Sequence, residues 1–130
     1  MTPFGLFLEK IRRSRQLQQK RLAAEVGIQA SYVSSLEKGR KPPPSKKILE
    51  KLIDVLNLDE DEQLNMWECV KQSKRSLELP DGMMPSEYQF ISKLSEKLGS
   101  LSEEQITLMM GILALNINKN KHLNSGRMNM

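Results

Sequence analysis

A chain of 130 residues with 38% hydrophobic content is one domain, or a small domain with an accessory segment. Its single cysteine, Cys69, excludes an intrachain disulfide and a thiolate metal site, and the lack of any run near 18 uninterrupted apolar residues excludes a membrane span, about 18 being the least that crosses a bilayer. The net charge of +4 hides an asymmetry: residues 1–47 hold eleven Lys/Arg against three Asp/Glu, residues 48–85 four against nine, and residues 86–130 five against four, so the first third is suited to a polyanion partner.

The pattern reads as all-α, with no period-two strand. Thr2 can cap a first helix whose first position is Pro3; it runs to about Ser14 and turns Phe4, Leu8 and Ile11 inward. Residues 17–39 read as two short helices broken at Gly27. Leu22, Ala23 and Val26 make the apolar face of one, and Val33 and Leu36 that of the other. Gly27 supplies the left-handed residue that ends a helix without a steric cost, and Ala23 is small where two helices must approach. This is the layout of a helix-turn-helix, whose second helix enters a DNA major groove. Pro42, Pro43 and Pro44 then force an extended connection.

Pro44 and Ser45 open a fourth helix with Ile48, Leu49, Leu52, Val55 and Leu56 on one side. Asp59 caps a fifth, with Glu60, Asp61 and Glu62 favoured by the dipole of its first turn and Leu64, Trp67 and Val70 expected to dock it, Trp67 as a core anchor. Ser73 to Met84 is polar, contains Pro80-Asp81-Gly82, and reads as a linker. Pro85 to Leu98 reads as a helix with Phe90, Ile91, Leu94 and Leu98 on one face, ended by Gly99. Ser102 and Gln105 form a capping-box pattern that starts a last helix. That helix carries two apolar stripes: Ile106, Met109, Met110, Leu113 and Ile117, and then Leu108, Ile112 and Leu115. A two-helix segment cannot bury both stripes alone, so a partner is expected, most simply a second copy.

The motif and its flanks resemble the lambda-repressor/Cro-like family, the Cro/C1-type or xenobiotic response element family of helix-turn-helix regulators. Phe4-Gly5, Leu8, Ile11 and Arg12 fall where that family's first helix carries its core and a buried arginine. Glu37-Lys38-Gly39-Arg40-Lys41-Pro42 resembles the family's exit from the reading helix, and Pro44-Ser45, Leu49, Leu52 and Leu56 its fourth helix. The similarity covers roughly residues 4–70. Gln18 stands where a Ser or Thr cap is usual, and Gln16 where Gly is usual. The expected fold is a five-helix DNA-binding domain over residues 1–72, a linker at 73–84, a two-helix oligomerisation segment at 85–117, and a frayed tail at 118–130.

The family's geometry and the residue chemistry assign roles together. Gln29, Ala30, Ser31, Ser34 and Ser35 are the expected base readers: an amide pairs best with adenine, a methyl meets thymine, and hydroxyls adapt. Gln19, Lys20, Tyr32, Lys38, Arg40 and Lys41 are the expected phosphate contacts, with Arg13, Arg15, Lys46 and Lys47 as further cations. The resemblance implies that Arg12 and Glu37 form an ion pair beneath the reading helix. It also implies a double-stranded DNA operator as partner. A lone domain buries too little surface for useful specificity, so a homodimer through Ile106, Met109, Met110, Leu113 and Ile117 is expected, reading a (pseudo)palindrome as a repressor.

An alternative of another class is an antitoxin-type protein whose C-terminal helices bind a regulatory protein partner while the DNA-binding domain autoregulates. Catalysis has little support: His122 is the sole histidine and Cys69 has no histidine near it in sequence. No enzyme activity and no cofactor are expected. The start of the chain lacks a basic-then-apolar signal layout, so a cytoplasmic location is expected.

Overall fold

The computed structural model describes residues 1–116, and helices are the only regular elements among them. Seven helices follow in order: α1 (Pro3–Ser14), α2 (Gln19–Val26), α3 (Ala30–Glu37), α4 (Lys46–Leu56), α5 (Glu60–Gln72), α6 (Pro85–Lys97) and α7 (Glu103–Leu113). They form two units, Met1–Leu79 and the remainder from Pro80. None is long and apolar enough to cross a membrane among the described residues. Ile117 and the residues read as a tail lie outside the described residues.

Local chemistry sets the helix starts. Thr2 Oγ1 accepts the amide of Gly5 at 3.0 Å, and Pro3 at the first position loses no hydrogen bond there. Ser45 caps α4, and Asp59 and Glu62 form a reciprocal capping box on α5 at 2.8 and 3.0 Å. Gln18, as its side chain implies, makes no cap bond to α2.

The four helix ends of the first unit from α1 to α4 share one solution. Gln16, Gly27, Gly39 and Asn57 all take positive φ, between 50° and 86°. The amide one residue further reaches back to the carbonyl five residues earlier: Leu17 to Arg12, Ile28 to Ala23, Arg40 to Ser35 and Leu58 to Ile53, at 2.9–3.2 Å. These closures satisfy carbonyls that the helix leaves open. Gln16, at φ 56°, is the unfavourable member because its Cβ meets the backbone in this region. Gln16→Gly should therefore raise stability by about 0.5–1 kcal/mol, read as a higher urea midpoint; an unchanged or lower midpoint would contradict that account.

The core of the first unit is built from Phe4, Leu8, Leu22, Val33, Leu36, Leu52, Leu56 and Met66, all nearly fully buried. Each such aliphatic or aromatic side chain contributes roughly 1.5–3 kcal/mol on leaving water. The docking of α5 departs from the sequence expectation. Met66 is the buried residue, Trp67 and Val70 pack against the core half-buried, and Leu64 is 70% exposed. The reason lies one turn beyond the apolar residues. Ser73, at the C-terminal end of α5, is buried, and its Oγ accepts the buried amide of Phe4 at 2.9 Å. The same hydroxyl donates to the Cys69 carbonyl at 2.7 Å. This rotation puts Met66, Cys69 and Ser73 on the α1 side and turns Leu64 away.

Ser73 is also the first residue of the stretch whose composition reads as a linker, and it is fastened to α1. Ser73→Ala would strand the Phe4 amide in the interior. The expected loss is about 1–3 kcal/mol by urea unfolding, with Ser73→Thr keeping most of the stability; equal losses for the two would rule out the hydroxyl as the cause.

In the second unit, Pro85 starts α6 and Glu87 accepts the amide of Met84 at 2.9 Å. Ser102 and Gln105 cap α7 reciprocally. α7 ends at Leu113, short of the residue 117 expected from periodicity. Neither α6 nor α7 buries a residue fully. Between them lies a groove of about 400 Å³ lined by Phe90, Leu94, Leu101, Leu108 and Met109, with Lys93 and Lys97 also on its wall.

Candidate nucleic-acid interface

The α2–turn–α3 motif is a rigid corner because its inner face is closed. Leu22, Ala23 and Val26 of α2 and Val33 and Leu36 of α3 are all buried. The left-handed Gly27 turns the chain between them, and a side chain there would meet no neighbour, so the constraint is conformational. With that face turned inward, the start of α3 faces solvent. Gln29 and Ser31 are exposed, Ala30, Ser34 and Ser35 are half-buried, and Tyr32 is half-buried against the core. Gln29 makes no cap bond to its own helix, and only a long 3.5 Å contact from Ser31 Oγ reaches its Oε1. Its amide is thus available to an external partner.

Beneath α3 lies a charged network. Arg12 of α1 donates through Nε to Glu37 Oε2 at 2.6 Å and through Nη2 to Oε1 at 3.0 Å. This is a bidentate fork between buried side chains, the strong form of the pair. Arg12 Nη1 donates to the Leu17 carbonyl at 2.7 Å, and Gln19 Nε2 donates to Glu37 Oε1 at 2.9 Å. The hydrogen bond to Glu37 raises the Arg12 guanidinium above its ordinary value, against the opposing effect of burial, so it stays charged throughout the working pH range. Three segments, α1, the start of α2 and the end of α3, thereby share one carboxylate. α3 cannot roll without breaking that set. Gln19 has one amide N–H engaged inside the domain and only the other free for a phosphate.

Arg15 does not belong with the free cations. Its Nε donates to the Leu56 carbonyl at 2.9 Å and its Nη2 to Glu62 Oε1 at 2.7 Å. It ties α1 to the end of α4 and the start of α5. The Arg15 hydrogen bond, then that of the Asp59 amide, lowers the Glu62 carboxyl below the usual range. The stabilisation is present above the unfolded carboxyl pKa and is lost as pH falls through the depressed folded one. Arg13 and Arg21 make only long, exposed pairs with Glu9 and Glu25, at 3.8 and 3.7 Å, of the kind worth about 0–1 kcal/mol.

Lys20, Lys38, Arg40 and Lys41 are exposed and form no ion pair among the described residues. They lie at the start of α2 and in the loop that leaves α3, on either side of Gln29 and Ser31 in the chain. Arg75, in the stretch whose composition reads as a linker, is fastened to the first unit. Its Nη2 donates to the Gly39 carbonyl at 2.6 Å, so the chain after α5 returns to the loop after α3. The basic pair Lys74-Arg75 is visible in the sequence, but its polar setting gives no sign of the return to Gly39.

Residues 8–63 match a family model described as helix-turn-helix. RghRB of Bacillus subtilis (strain 168), described as an uncharacterized HTH-type transcriptional regulator, is 36% identical over 58 residues. That stretch is 45% of this chain and 42% of the relative, so the match spans less than half the length of either. No solved structure matches the chain.

Proposed function

From the helix-turn-helix match over residues 8–63 and the likeness to an HTH-type transcriptional regulator, we propose that the protein is a DNA-binding transcriptional regulator that acts as a dimeric repressor in the cytoplasm. The observation that carries this reading is the buried Arg12–Glu37 fork, which holds α3 with Gln29 and Ser31 facing solvent between exposed cations. α3 enters the major groove, Gln29, Ala30, Ser31, Ser34 and Ser35 meet base edges, and Lys20, Lys38, Arg40 and Lys41 meet phosphates, with Gln19 and Tyr32 beside them. Occupancy of an operator suffices for repression.

Dimerisation proceeds through α7. Ile106, Met110 and Leu113 are exposed and Met109 is half-buried, an apolar stripe that a second copy would cover. Two domains then read two half-sites about one helical turn apart.

Selection of bound sequences from a pool of random duplexes tests the proposal. It should enrich a (pseudo)palindrome with half-sites about 10 base pairs apart, whereas no enrichment, or a lone half-site, would sink the dimeric repressor. Gln29→Ala should relax the preference at one position per half-site by about 1–3 kcal/mol. A uniform loss across all sequences would instead make Gln29 a backbone contact.

A further inference from the structure

The loop that leaves α3 is a meeting point of distant segments. Gly39 takes φ 74°, and a Cβ there would lie 2.9 Å from the Thr2 amide nitrogen and 3.0 Å from Met1 Cα, so the loop is packed against the backbone that precedes α1. From the other side of the sequence, Arg75 donates to the Gly39 carbonyl. A cleft of about 370 Å³ separates the Pro42–Pro44 connection from Lys74, Arg75 and Ser76. The proline wall has little freedom to close it.

The outcome is a concentration of one sign of charge. Lys38, Arg40 and Lys41 come from the loop after α3, and Lys74 and Arg75 from the chain after α5. All five are exposed, and none pairs with a carboxylate among the described residues. Exposed cations brought near one another by this return of the chain raise a local positive potential that attracts a polyanion. The Gly39 carbonyl engages one of the five guanidinium donors of Arg75 without neutralising its charge. That contact fixes where the charge sits and lowers the entropy lost when it grips an anion.

We propose that Lys74 and Arg75 are DNA phosphate contacts, a clamp from outside the matched segment that extends the contact made by Arg40 and Lys41. This rests on the DNA-binding reading and adds to it a second chain segment. Arg75 is already held to the loop that exits α3 through the Gly39 carbonyl, so the clamp stands beside that loop before DNA arrives.

The experiment is anisotropy of the full chain with a labelled mixed-sequence duplex about two helical turns long, across a range of salt. Each lost phosphate contact should reduce the slope of log affinity against log salt by about 0.9 and the affinity by up to about eight-fold at 0.1 M. Arg75→Gln removes the charge and keeps a polar side chain, so it should show one such step. Lys74→Ala should show another, and Arg75→Lys should restore most of the first. A wild-type slope in Arg75→Gln, alongside a reduced slope in the double variant Arg40→Ala/Lys41→Ala, would overturn the clamp and leave the DNA-binding reading intact. A loss that Arg75→Lys does not recover would also overturn it, since charge would not be what Arg75 supplies. Absence of salt-dependent binding by the wild-type chain would overturn the DNA-binding reading itself.

Discussion

Glu37→Ala should cost about 3–5 kcal/mol, because it leaves the buried Arg12 guanidinium charged and without its carboxylate. For a unit of this size that is a fall in melting temperature of more than about 10 °C. The loss includes the Gln19 amide, whose acceptor is the same Oε1. Arg12 stays protonated in that variant because a guanidinium is intrinsically too basic to lose its proton at ordinary pH, even though the Glu37 bond that raised it is gone and burial opposes the charge, so no ordinary pH adjustment relieves the stranded charge. The double variant Arg12→Met/Glu37→Leu should lose less than Glu37→Ala, since apolar replacement removes both desolvated charges together. A small change for Glu37→Ala, or a larger one for the double variant, would show that the fork is not the main tie between α1 and α3. Duplex binding by the double variant separates stability from orientation: if the fork sets the angle of α3, specificity should fall even where the domain stays folded.

Gly5→Ala should be costly for a different reason. Gly5 lies inside α1, where alanine is ordinarily the better helix former by about 1 kcal/mol. Here a Cβ would run into the Leu36 carbonyl oxygen and stand 2.8 Å from that of Glu37. Both obstructions are backbone at the end of α3, and α3 is held by the fork to Arg12 on the same helix. The strain therefore cannot be relieved by a rotamer change and must separate two helices. A loss of about 3 kcal/mol is expected, the upper part of the range for overpacked cores. Gly111→Ala is the matched comparison, since a Cβ there meets nothing and should only favour α7. Equal melting temperatures for the two variants would show that α1 and α3 do not need this close approach.

The features legible in the sequence share a short reach. Thr2 with Gly5, Asp59 with Glu62 and Ser102 with Gln105 act within one helical turn, and their chemistry alone fixes where α1, α5 and α7 begin. The break at Gly27 and the inward faces of α2 and α3 follow from one residue's φ and an apolar period. The Arg12–Glu37 pair came from resemblance, since nothing in a spacing of 25 residues announces a contact. Arg15 read as one more surface cation, because its acceptors lie 41 and 47 residues away at Leu56 and Glu62.

α5 shows where reading by hydrophobicity stops. Leu64, Trp67 and Val70 have the apolar spacing, yet the helix rotates to bring Ser73 to the Phe4 amide, 69 residues distant. A buried backbone amide without an acceptor costs about 1–3 kcal/mol, enough to offset leaving one leucine largely in water, and only the assembled fold decides which amides are buried. The sequence by itself determined the helical class, the order and starts of the helices, and the corner built on Gly27. Tertiary structure decided the roll of α5, the internal use of Arg15 and Gln19, the bare backbone at Gly5, and the return of Arg75 to Gly39. Each of those depends on which distant groups are desolvated together, a property of packed surfaces that no local pattern encodes.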